Sequence, residues 1–231
     1  MVNVENQLVT NASNGGAALG RPQGGPAEWY RNGGKRVFDV VASLFGILIL
    51  APVLIVLGSV IYLHDRGKPF FVHKRLGQGG ESFGCIKMRS MVANAEEKLN
   101  EVLKKHPEWR QEWEESQKLT NDPRVTRVGN FIRKTSLDEI PQLFNVLRGD
   151  MSLVGPRPIV RDELPRYGED AVSYLRLRPG FTGLWQTTGR NDVSYDERVA
   201  MDVTYERNVS FTEDLRILVM TIVTMLRRTG K

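Results

Sequence analysis

The sequence predicts an α+β protein, mainly helical, in which a re-entrant membrane helix–break–helix carries a small cytoplasmic domain with a β-hairpin and interfacial amphipathic helices. Three observations predict it. Val40 to Leu63 is a run of 24 residues with no charged side chain and with Pro52 at its middle. Two short β-rich runs flank Gly77-Gln78-Gly79-Gly80, the pattern of a hairpin. Two later stretches repeat apolar residues at helical spacing, and the second ends in Arg227-Arg228.

Residues 1–34 read as a disordered tail. They hold seven glycines and no sustained apolar period, so they cannot bury enough surface to offset the entropy of ordering. Their charges cancel, Glu5 and Glu28 against Arg21 and Arg31, and the net +5 of the chain therefore lies beyond them. A secretory signal is not expected, because the apolar run starts late, is too long and is followed by no small-residue cleavage site.

Residues 35–64 read as the membrane segment. A helix of 24 residues reaches about 36 Å, against a bilayer core of about 30 Å. A buried helix of a soluble core is the weaker alternative for so long a run. Pro52 removes one backbone donor and crowds the preceding turn, so a bend is expected at Ala51-Pro52. Basic residues flank both ends, Arg31, Lys35 and Arg36 before the run and Arg66, Lys68, Lys74 and Arg75 after it. The positive-inside rule assigns both flanks to the cytoplasmic side, which favours entry and return over crossing.

Residues 65–231 read as the globular domain. Pro69 to His73 and Ser82 to Met88 form the hairpin. Ala95 to Leu119 is helical in pattern, with a break near His106-Pro107. Ser136 to Leu147 is a short helix with Leu137, Ile140, Leu143, Phe144 and Leu147 on its apolar side. Leu215, Leu218, Val219, Ile222, Val223 and Leu226 form a last apolar stripe, equally suited to a core helix and to a helix lying on an anionic membrane.

Composition narrows the chemistry. One cysteine, Cys85, excludes an intrachain disulfide and a cysteine-based zinc site. The three histidines lack metal-ligand spacing. No G-x-x-x-x-G-K-S/T loop, G-x-G-x-x-G fingerprint, Asp-x-Asp pair or G-x-S-x-G elbow is present. The positive balance points to an acidic partner, and the few aromatics do not interleave with basic residues as base stacking requires, so nucleic acid is not expected.

Chemistry concentrates in Arg133-Lys134-Thr135-Ser136-Leu137-Asp138-Glu139-Ile140-Pro141-Gln142-Leu143. The structural reading is a capping box, Ser136-x-x-Glu139, with Asp138 favourably placed in the first turn. The functional reading uses the free N–H groups of a helix start to favour a phosphate. Adjacent acids there could divide the work, one attacking while its neighbour holds a divalent metal or a proton. Arg133 is close enough in sequence to contact a phosphate. Arg157 stands in the stiff turn Gly155-Pro156-Arg157-Pro158, and a second glycine- and arginine-rich stretch runs from Arg178 to Asp192. Ten arginines lie between Arg124 and Arg190, and arginine suits bidentate phosphate recognition.

Taken together, these motifs resemble the bacterial sugar transferases, monotopic phosphoglycosyl transferases that act on polyprenyl phosphate. Lys35-Arg36-Val37-Phe38-Asp39, Lys87-Met88-Arg89-Ser90-Met91 and Asp122-Pro123-Arg124-Val125-Thr126 belong to the resemblance, which covers roughly residues 34–228. Many members carry serine where Ala51 stands. The resemblance implies transfer of a sugar 1-phosphate from a UDP-sugar to undecaprenyl phosphate with release of UMP, early in exopolysaccharide or related glycan assembly. It implies Asp138 as nucleophile, forming a phosphosugar-aspartyl intermediate, and Glu139 beside it, the two holding Mg²⁺. Arg133, Arg157, Gln186 and Arg190 match substrate-contacting positions. The loop Asn191-Asp192-Val193-Ser194-Tyr195 looks more like the galactose-phosphate branch than the glucose-phosphate branch. The implied location is the cytoplasmic face of the bacterial inner membrane, with a homodimer left open. Competing readings are a membrane-anchored direct glycosyltransferase and a non-catalytic basic adaptor.

Overall fold

The computed structural model describes residues 26–116, 119–188 and 193–226. It is mainly helical, with one long apolar helix and two small sheets. Pro26–Trp29 and a π-helical turn, Tyr30–Gly34, lead directly into α1, Lys35–Asp65. The tail boundary drawn at residue 34 thus cuts through a helical segment, and Tyr30 within it is buried, donating to Asp214 Oδ2 at 2.7 Å.

The break predicted at Ala51-Pro52 does not interrupt α1, which keeps helical structure from end to end with Pro52 inside it. Proline there removes the N–H that would meet the Leu48 carbonyl, but the two flanking stretches are apolar enough to continue the helix on either side. Only 11% of its most apolar window is buried, which sets aside the soluble-core alternative. Val41, Phe45, Leu48, Ile55 and Val56 are among its exposed residues.

One face of α1 packs on the domain. At its start, Asp39 is buried and accepts from Leu153 N at 3.0 Å and from Ser152 Oγ at 3.1 Å. Arg36 donates to the Val146 and Leu147 carbonyls, the latter at 2.8 Å, at the end of α5, Gln142–Arg148. A helix end leaves such carbonyls without partners. At the other end of α1, Asp65 Oδ2 accepts from Arg89 Nη1 at 2.9 Å. Both ends of the helix are therefore tied to one domain.

The hairpin is β1, Phe70–Leu76, against β2, Ser82–Met88, antiparallel with Phe70 opposite Met88 and Leu76 opposite Ser82. The helical stretch after it divides as expected, into α2, Ala95–Lys105, and α3, Pro107–Ser116. Then come α4, Arg127–Lys134, and a 3-10 turn, Leu137–Glu139. A second sheet is a parallel pair that the sequence reading treats as two separate turns: β3, Ser152–Val154, beside β4, Gly180–Thr182. Between them lie the 3-10 stretch Arg161–Asp170 and α6, Ala171–Leu175. The chain closes with α7, Leu184–Thr188, α8, Tyr195–Asn208, and α9, Phe211–Leu226.

The main core joins α1, α5, β3 and α9 through Leu54, Leu143, Val146, Val154 and Ile217. A second core gathers Leu76, Ile159, Tyr167, Tyr174, Val199 and Val203. α9 packs one side of its length on the domain and leaves the other exposed. Asp214 and Ile217 are buried on the domain, while Phe211, Leu215, Val219 and Ile222 are exposed.

Candidate active site

Asp138 and Glu139 occupy the 3-10 turn between α4 and α5, not the first turn of an α-helix. Ser136 takes a left-handed conformation, φ 56°, and makes no side-chain cap bond. The capping box is therefore not formed. Glu139 turns instead to β2, where Lys87 Nζ donates to its Oε1 at 2.7 Å. Two fixtures hold this turn in place. Thr126 caps α4 by accepting from Gly129 N at 2.8 Å, and Gly129 lies so close to the Ser90 carbonyl that a methyl group would collide with it. On the other side, Asn145 of α5 is fully buried and splices the helix to β2. Its Oδ1 accepts from Ile86 N at 2.9 Å, and its Nδ2 donates to Gly84 O at 2.7 Å.

Arg133, at the end of α4, donates from Nε to Ser90 Oγ at 2.7 Å. It also acts on Asp138: burial and the neighbouring Glu139 charge raise the Asp138 carboxyl above the ordinary range, while Lys87 and Arg133 oppose them. The acid pair thus sits in a partly desolvated setting where cations matter.

Arg157 reaches the same place by another route. Gly155 N donates to Thr182 O at 2.9 Å and Gly180 N to Pro156 O at 2.7 Å, so the 155–158 turn is stitched onto the loop that leads to α7. Gly155, Gly180 and Gly183 approach so closely there that none has room for a Cβ. Arg157 lies over the Trp185 ring, 5.5 Å from its centroid. A pocket is lined by Glu139, Lys87, Arg75, Cys85, Gln142, Arg157 and Gln186, among others. The structure thus brings Glu139, Arg157 and Gln186 to one pocket, while Asp138 adjoins Glu139 and lies in the field of Lys87 and Arg133 without lining that pocket. Arg190 lies outside the described residues, and Ala51 and Pro52 belong to α1, away from this pocket.

The profile of the family described as bacterial sugar transferase matches residues 30–228. The chain belongs to the bacterial sugar transferase family. This transferase is 54% identical over 196 residues to the undecaprenyl-phosphate galactose phosphotransferase of Salmonella typhimurium, covering 85% of this chain and 41% of that protein. It is 53% identical over 196 residues to the UDP-galactose-lipid carrier transferase of Erwinia amylovora, with the same coverage, 85% and 41%. The exopolysaccharide production protein ExoY of Rhizobium meliloti is 48% identical over 202 residues, which cover 87% of this chain and 86% of that protein. The chain thus spans about two fifths of the length of the first two relatives and most of the third.

Lys87, Arg75, Cys85 and Gln142 line the pocket of this transferase without having been singled out for a role from sequence. A weak signal existed: Cys85 and Lys87 alternate with Ile86 along β2, and alternation puts them on one face. No cluster of three acids, histidines or cysteines that could hold a metal is present among the described residues. Mg²⁺ uses one or two carboxylates and completes its shell with waters and substrate phosphates. Asp138 and Glu139 beside a cation-lined pocket fit that donor set.

Proposed function

We propose that this transferase moves a sugar 1-phosphate, galactose favoured over glucose, from a UDP-sugar to undecaprenyl phosphate and releases UMP. The step belongs at the start of exopolysaccharide or related glycan assembly. The observation that carries the proposal is the half-buried pair Asp138-Glu139 beside Lys87 and Arg133, with Glu139 and Arg157 lining one pocket, on a domain built onto a long apolar helix. The names of the Salmonella and Erwinia relatives support the acceptor and the sugar.

Asp138 is the nucleophile. An oxygen of its carboxylate attacks the sugar-bearing phosphorus, the bond from that phosphorus to the bridging oxygen breaks, and UMP leaves with the electron pair. The phosphate of undecaprenyl phosphate then attacks the same phosphorus and frees Asp138. A covalent intermediate lets two anionic substrates use one site in turn. Arg133 and Arg157 position phosphate oxygens and offset their charge. Lys87 fixes Glu139, and Gln186 and Arg190 contact the donor. Mg²⁺, when held by Asp138 and Glu139, supplies positive charge to the diphosphate.

The same reading is monotopic, on the cytoplasmic face of the inner membrane. Arg36 and Asp65, near opposite ends of α1, both bond to the one domain, which supports placing both ends at one face, with α1 bending at Pro52 inside its continuous helix. Entry and return at that face bring the lipid phosphate and a soluble UDP-sugar to one place.

The test is nucleotide release by purified protein with Mg²⁺, undecaprenyl phosphate and a panel of UDP-sugars. UMP is expected, fastest with UDP-galactose. Asp138→Asn should reduce turnover to background while the protein stays in the membrane fraction. Release of UDP instead of UMP would replace the proposal with direct glycosyl transfer.

A further inference from the structure

Arg75 is a cation without an assigned task. It projects from β1 into the pocket that Glu139, Arg157 and Gln186 line, and it is half-buried. Among the described residues it forms no ion pair with a carboxylate; its Nη2 meets His73 Nδ1 at 3.2 Å. Glu163, an acid in its field, accepts from Val160 N on its Oε2 at 3.0 Å. The guanidinium that presses most on Arg75 is that of Arg157. Burial and this neighbour both hold its pKa below the usual value, so a half-buried guanidinium and a more exposed one line the same pocket as like charges.

The cations of the site therefore fall into two groups. Among the cations, Lys87 and Arg133 act most strongly on Asp138, while Arg157 acts most strongly on Arg75, its neighbour in the pocket lining. Like charges held together this way are stabilised by an anion between them, and paired guanidiniums suit the oxygens of a phosphate. Neutral His73 can accept an Arg75 N–H and fix its plane, and Trp185 lies beneath Arg157.

We propose that Arg75 and Arg157 form a two-arginine clamp for the nucleotide-side phosphate of the donor, the group that leaves as UMP, while Lys87 and Arg133 face the transferred phosphate. This rests on the diphosphate-donor reading above. As the Asp138–phosphorus bond forms and the phosphorus–bridging-oxygen bond breaks, the electron pair stays on the nucleotide oxygen. Negative charge grows there, where the clamp can stabilise it.

The test measures UMP affinity by calorimetry, and the KM for undecaprenyl phosphate, for wild type, Arg75→Gln and Arg75→Lys. Arg75→Gln should weaken UMP binding about 10- to 100-fold, the scale of lost charge-assisted hydrogen bonds, and leave the lipid KM unchanged. Arg75→Lys keeps charge and stem but not the fork. It should show a smaller loss, and it carries the test if the glutamine variant does not fold. UMP affinity unchanged in the folded variants removes Arg75 from the clamp. A loss confined to undecaprenyl phosphate assigns Arg75 to the acceptor and overturns the proposal. If the wild type itself binds no UMP, the donor reading falls and takes the clamp with it, a result distinct from the loss of Arg75 alone.

Discussion

Asp202 on α8 is buried in the second core, and desolvation pushes its carboxyl up to about 7, opposed by the Tyr167 hydroxyl that donates to it at 2.8 Å. The folded-state value lies above the 3.8 of the free side chain. The proton is thus held more tightly when folded, and the resulting stability is complete below about pH 4 and lost as pH rises through 7. Asp202→Asn keeps an acceptor for Tyr167 and removes the charge. We expect its Tm at pH 8 to exceed wild type by at least about 4 °C, with the gain shrinking as the pH is lowered towards 4; a pH-independent difference in thermal melts would refute this. Asp138 and Glu139 were legible as a candidate pair because two adjacent acids beside arginines stand out in sequence. Asp202 was not, since its burial depends on Tyr167 of the Arg161–Asp170 stretch packing against α8, where Val199 and Val203 also turn inward.

At the scale of elements, the parallel pairing of β3 and β4 positions the Arg157 and Gln186 side of the pocket. A Cβ at Gly155 would run into the Arg178 carbonyl, and backbone there cannot move without shifting the Gly180 N–H bond to Pro156 O. Gly155→Ala should cost about 1–3 kcal/mol and also raise the donor KM, because Arg157 and Gln186 follow directly on the paired strands. Denaturant unfolding and steady-state kinetics on one preparation check both effects, and a normal KM in a destabilised variant would separate the strand pair from the site. The two glycine-rich turns were legible, but not their pairing. Strands of three residues are too short to display a period of two. Likewise Ser136-x-x-Glu139 had the spacing of a capping box, yet Lys87 competes for Glu139 from a strand about fifty residues earlier in the chain.

At the scale of the whole molecule, the outward face of α1 and the Phe211, Leu215, Val219 and Ile222 face of α9 are both apolar and exposed. The ties at Arg36 and Asp65 keep α1 at the domain from both ends. Topology reporters at residue 30 and after residue 231 should therefore both read cytoplasmic, and opposite readings would establish a crossing helix. The length and hydropathy of residues 40–63 announced a long apolar helix without any tertiary information. The attachment of its two ends to one domain could not be read, because Arg36 bonds to carbonyls of α5 more than a hundred residues away.

The sequence by itself determined the apolar helix, the hairpin, the acid pair and the arginine-rich turns, because each is written in neighbouring residues through period, charge or backbone restriction. The tertiary structure alone decided that Glu139 pairs with Lys87, that Arg75 and Arg157 line one pocket, and that β3 and β4 run side by side. Those contacts join residues tens of positions apart, and their geometry is set by packing around Asn145, Gly129 and Gly155, where a buried amide or a missing side chain lets distant backbone meet.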